Sequence, residues 1–176
     1  MLDYDELTKK LYQENINWVY SIVKNLDEQG VERKETFIQD AYVLNDVIVL
    51  GYYFMNLYIV SNLNNYFYKD RDLIMSAIIK GASSYNQYKL SHIYNLNIDL
   101  KKIVEVYNYV VKQTKAYAPD DGLKARVVAI DTIYRKIYPR FNKRHFMVFL
   151  KVFMASFNEY ENHIQETIDD YLNKDV

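Results

Sequence analysis

The sequence predicts an all-α protein, a single-domain bundle of about six helices closed by a long C-terminal helix. Three observations carry this. Only four glycines and two prolines punctuate 176 residues, too few for the turns a sheet protein needs. Apolar residues recur at helical spacing in several long stretches. Half the residues are hydrophobic and 26% charged, the balance of a chain that buries a core. No repeat of 20–50 residues and no low-complexity linker divides the chain, so one domain spans 1–176.

The first helix is expected from about Asp3 to Leu26, with Asp3 capping it and Tyr4, Leu7, Leu11, Trp18, Ile22 and Leu26 on one stripe. The second is expected to begin near Glu32 and run past Val60, with Phe37, Ala41, Leu44, Ile48, Tyr52, Met55 and Ile59 at steps of three and four. Its 14-residue apolar run, Val47 to Val60, is too short for a membrane span and reads as a central, surrounded helix. Asn62 to Asn65 and the charged Lys69-Asp70-Arg71-Asp72 suggest an end and a turn before a third element over Leu73 to Ile79. Gly81 breaks that element, and Tyr85 to Tyr94 either continues it or forms a helix of its own. Asn97 or Asp99 then caps a helix ending at Tyr117.

After the Pro119-Asp120-Asp121-Gly122 loop, Leu123, Val127, Ile130, Tyr134 and Ile137 define the next helix, which Pro139 stops at about Tyr138. Asn142 caps the last helix. There Phe146, Leu150, Phe153, Phe157, Tyr160, Ile164, Thr167 and Tyr171 form a heptad stripe. Such a stripe is one face of an intramolecular bundle, or a seam through which a homodimer or structural subunit would assemble.

Without cysteine, disulfides, thiolate metal sites and a cysteine nucleophile are excluded. The acidic N-terminus lacks the order of a signal peptide, and a cytoplasmic protein is expected. Nineteen tyrosines, with abundant Asn, Ile and Lys, point to AT-rich codons and so to a bacterium, its phage or another mobile element.

No phosphate-cradling glycine loop, nucleophile elbow or helical metal motif appears, so no cofactor, metal or catalytic set is assigned. Glu159 and His163, four apart, read as a surface pair. An enzyme with an unfamiliar site would draw on Asp46, His92 or His163. Asp46 is expected to face solvent or a basic partner, or else to be buried with a raised pKa.

The charge distribution is the sharper signal. Residues 122–158 carry +7, against −3 for residues 1–121 and −5 from Glu159 onward. At the joint between the last two helices, Arg135 and Lys136 suit a helix C-terminus, whereas Lys143, Arg144 and His145 oppose the dipole of the helix they open. With Arg140 between them, these six residues form a candidate anion-binding corner. Tyr107, Tyr109, Tyr134 and Tyr138 are candidate aromatics of a partner surface.

The function this predicts is a non-enzymatic binding protein, an adaptor, regulator or inhibitor whose partner has an acidic or nucleic-acid-like surface. Nucleic acid itself is the alternative partner. The acidic tail, by folding back, could pair with the corner and mask it.

Overall fold

A computed structural model describes residues 4–30, 33, 36–81, 83–88 and 98–175. Among them are seven α-helices and no strand. They are α1 (Tyr4–Glu28), α2 (Ala41–Asn62), α3 (Tyr68–Ile79), α4 (Ser83–Gln87), α5 (Leu100–Tyr117), α6 (Gly122–Ile137) and α7 (Lys143–Leu172). Short 3₁₀ turns at Phe37–Gln39, Leu63–Asn65 and Asn173–Asp175 join or finish them. The expected roles of Asp3, Asn97 and His92 lie outside the described residues, as do the Glu32 start and the Tyr94 end.

The caps are where local chemistry requires them. Asp99, Asp121 and Asn142 each accept a hydrogen bond from the backbone N–H three residues on, at 3.1, 3.0 and 3.1 Å. Pro139 follows the end of α6 by two residues. Two boundaries depart from the apolar spacing. The second helix begins at Ala41, because the Asp40 carboxylate caps Tyr42 and Val43 and stops the helix from running further upstream. Upstream, Asp27 at the end of α1 accepts from the N–H groups of Phe37 and Ile38 and holds them in a separate turn. Secondly, Lys69-Asp70-Arg71-Asp72 is no turn. It lies in the first turns of α3, where Asp70 suits the helix N-terminus.

Helix α2 is the axis of the bundle. It touches α1, α5, α6 and α7, and Val43 to Gly51 is continuously buried. Its length and hydropathy would suit a membrane span, yet 72% of that apolar window is covered by the rest of the chain. Helices α1 and α7 run antiparallel, tied by Lys174–Glu6 at one end (2.9 Å) and by Trp18 Nε1 donating to Ser156 (3.0 Å) further along.

The α7 stripe is spent on this packing. Phe149, Val152, Phe153, Phe157, Tyr160, Ile164, Ile168 and Tyr171 are its buried residues, while Phe146, Leu150 and Thr167 fall half-buried at its edges. A straight helix drifts about 20° per heptad from a 3.5-residue repeat, which turns Phe146 and Leu150 at one end and Thr167 near the other towards the edge of the core, while Tyr171 stays buried. On α6 the buried face is carried by Ala125, Ala129, Ile130, Ile133 and Tyr134, and Leu123 is exposed.

Many of the tyrosines turn inward. Tyr12, Tyr85, Tyr134, Tyr160 and Tyr171 are fully buried. Several of their hydroxyls are bonded inside the bundle, by the backbone and by an asparagine. Tyr12 and Tyr52 both donate to the Ile78 carbonyl, at 3.2 and 3.3 Å. Asn15, buried on α1, donates to the Ile48 carbonyl (3.1 Å) and to the Tyr85 hydroxyl. The Tyr160 hydroxyl lies 3.2 Å from Asn15 Oδ1 and 3.0 Å from the Gly51 carbonyl, so its one proton can serve either. Gly51 permits this crossing of α1 and α2. A Cβ there would sit 1.8 Å from Asn15 Oδ1.

Candidate functional site: the basic end of the bundle

Both ends of the α6–α7 joint are pinned by one side chain. The Tyr134 hydroxyl donates to the Asn142 carbonyl (3.0 Å) and accepts from the Asn142 N–H (3.2 Å). Its ring packs against Tyr138, Phe141, Phe146 and Phe149. The connection 138–142 is therefore a fixed corner rather than a loose linker, and its side chains point in set directions.

The six cationic or potentially cationic residues of this corner then divide. Lys136 is turned inward, with Nζ 2.7 and 2.8 Å from the two oxygens of Asp46. Asp46 is buried, which raises its pKa above the usual carboxylate range against the opposing pull of Lys136 and Lys102. The expectation that Asp46 meets a basic partner thus holds, and solvent does not reach it. Arg135 pairs with Asp131 one turn earlier (2.8 Å) and lays its guanidinium over the Phe141 ring (4.9 Å). His145 is half-buried beside Tyr138. Arg140, Lys143 and Arg144 remain exposed, and no described carboxylate lies within ion-pair distance of any of them.

The candidate aromatics separate in the same way. Tyr134 is fully buried and belongs to the joint, not to a surface. Tyr107 packs on Tyr52 with its hydroxyl accepting from Asn56 (3.2 Å), and Tyr138 is half-buried, its pKa pushed up to about 12 by burial. Only Tyr109 of the four is exposed, and it sits on α5, a different helix from the corner.

Sequence reading missed the apolar members of the patch. Phe141 and Met147 are each about half exposed, at 49% and 53%. Arg144, Met147 and Lys151 follow one another at steps of three and four and so share a face of α7. The available signal was an aromatic directly after Pro139-Arg140 and a Met three residues after Arg144, but helical periodicity alone assigns such residues to a core.

The acidic tail does not return to mask this patch. It continues the same helix, and Glu159 lies about 22 Å from Arg144 along the axis. Tail acids pair elsewhere: Glu161 with Arg126, and Asp169 with Gln165. Glu159 and Glu166 flank His163 at 3.7 and 3.8 Å. Among the described residues no three His, Asp or Glu side chains are grouped as a metal ion requires.

No protein-family model matches the chain, and neither a curated protein nor a solved structure is significantly similar to it.

Proposed function

We propose that this chain is a non-enzymatic binding protein of the cytoplasm, an adaptor, regulator or inhibitor, that docks its basic corner on an acidic protein surface. One observation carries the reading. Arg140, Lys143 and Arg144 have no carboxylate within ion-pair distance among the described residues, and they stand with the exposed Phe141, Met147 and Lys151 on a rigid joint.

Uncompensated cations beside exposed apolar side chains have the composition of a recognition surface, since Met and aromatics bury area while charges select the partner. Rigidity lowers the ordering cost of binding, because Tyr134 already fixes the turn. The source expected from composition, a bacterial mobile element, suits a small regulator of this kind.

Direct binding of nucleic acid is the second reading, favoured by the same cations. It is the weaker one because few cations are free and the chain is near neutral, with a pI of about 6.3.

The test compares the parent with the Arg140→Glu/Lys143→Glu/Arg144→Glu variant against polyglutamate and a duplex oligonucleotide over a salt series. The expected result is salt-dependent polyglutamate binding that falls by about tenfold or more in the variant, about 1.4 kcal/mol or more. All three sites are exposed, so thermal melting should be nearly unchanged. Equal binding and equal salt dependence in parent and variant would sink the proposal. Tighter binding to the duplex than to polyglutamate, with a steep salt slope, would put nucleic acid first.

A further inference from the structure

Away from the basic end, α1 and α7 enclose a cavity of about 190 Å³ whose lining includes Glu14, Trp18, Ser156, Glu159, Tyr160 and His163. Its floor is aromatic. Trp18 stacks on Tyr160 with ring centroids 4.7 Å apart and an interplanar angle of 16°, and both rings are held from behind. Trp18 donates to Ser156, while Tyr160 bonds towards Asn15 and Gly51. The floor is thus fixed before any ligand arrives, as small-molecule sites usually are.

The rim carries carboxylates from both helices and, among the described residues, neither Lys nor Arg. Glu159 has His163 beside it at 3.7 Å. Glu14 is different: it is half-buried, and no described donor or cation lies within hydrogen-bonding or ion-pair distance. Burial raises its pKa, against the opposing pull of His163 and with the help of Glu166. A partly desolvated carboxylate with no ion pair at contact distance among the described residues is an arrangement that a bound cation would relieve.

We propose that this cavity binds a small organic ammonium ion, its charge between Glu14 and Glu159 and its alkyl body on the Trp18–Tyr160 floor. Size, charge and shape each narrow the choice. At about 30 Å³ per water the space equals roughly six waters, suited to a ligand of five to ten heavy atoms. An anion would meet two carboxylates, and besides the His163 imidazole only neutral donors such as Asn17, Ser21 and Ser156. A metal ion would need three converging ligands, which the described residues do not supply here. Aromatic rings with flanking carboxylates are instead the surroundings that bind ammonium groups.

Trp18 is the only tryptophan, so its emission reports directly on the cavity. Butylammonium chloride is titrated into the intact protein with fluorescence and calorimetric readouts. Sodium chloride at equal ionic strength and 1-butanol serve as charged and uncharged counterparts. The expected result is a saturating one-to-one response to butylammonium alone, weakened at least tenfold in Glu14→Gln and unchanged in Glu105→Gln, an exposed position on α5. Glu159→Gln provides a second variant, with circular dichroism to verify folding of each. A sodium chloride response equal to that of butylammonium would overturn the assignment, as would undiminished affinity in both Glu14→Gln and Glu159→Gln.

Discussion

Replacing Gly51 by alanine is the most direct test of the α1–α2–α7 crossing. Glycine in a helix interior costs about 1 kcal/mol relative to alanine, so propensity alone predicts stabilisation. Packing predicts the opposite. The added Cβ would stand 1.8 Å from Asn15 Oδ1, 2.8 Å from Asn15 Cγ and 2.9 Å from Trp18 Cε3, all closer than side chains tolerate. The helices must separate or Asn15 must turn away. Separation is overpacking, at about 1–3 kcal/mol. Turning Asn15 abandons its bonds with Ile48, Tyr85 and Tyr160, and each group left buried and unpaired costs about 1–3 kcal/mol. Relief follows the cheaper route, separation, so against the propensity gain the net loss should be about 2 kcal/mol at the upper end of that range. For a chain of this length that lowers Tm by about 4–8 °C. Urea unfolding followed by Trp18 emission and circular dichroism measures it. Gly122→Ala makes the same chemical change where nothing lies within 4 Å of the new Cβ, and should be neutral or slightly stabilising. A Gly51→Ala protein as stable as the parent would refute the reasoning.

Two further outcomes follow from the basic end. Because burial raises Asp46, the folded state holds its proton more tightly than the unfolded state; the stability this contributes is present below the ordinary carboxylate range and is lost as pH rises through the raised value. Asp46→Asn should therefore flatten the decline of stability with pH over that window, read by urea titration at successive pH values, and an unaltered slope would contradict this. Asn142→Ala should cost about 1 kcal/mol by removing the cap on His145 N–H, and should also weaken polyglutamate binding as the first turn of α7 loosens; stability and affinity that both match the parent would count against it.

The sequence by itself determined the helices, because their signals are local. Asp99, Asp121 and Asn142 read as caps from their position ahead of an apolar stripe, and Pro139 ends α6 whatever surrounds it. The segregation of charge was equally legible, being a property of order along the chain. What it left undecided depended on neighbours distant in sequence. Asp40 was overlooked as a cap because the apolar steps from Phe37 to Leu44 run across it, and only the grip of Asp27 on Phe37 separates the two segments.

The same limit governed the site. Six cations or potential cations at one joint were visible, but Lys136 is neutralised by Asp46, 90 residues away, and Arg135 by its own helix. Tyr134 looked like a surface aromatic and is the pin of the turn, because its hydroxyl finds both partners on Asn142. Tertiary structure alone decided which of these charges pair with a described carboxylate and which stand exposed. An ion pair or buried hydroxyl is fixed by where two helices cross, and periodicity within one helix does not contain that crossing. It was also the crossing of α1 and α7 that brought Glu14, Trp18 and Glu159 around one cavity, from segments that are some 140 residues apart.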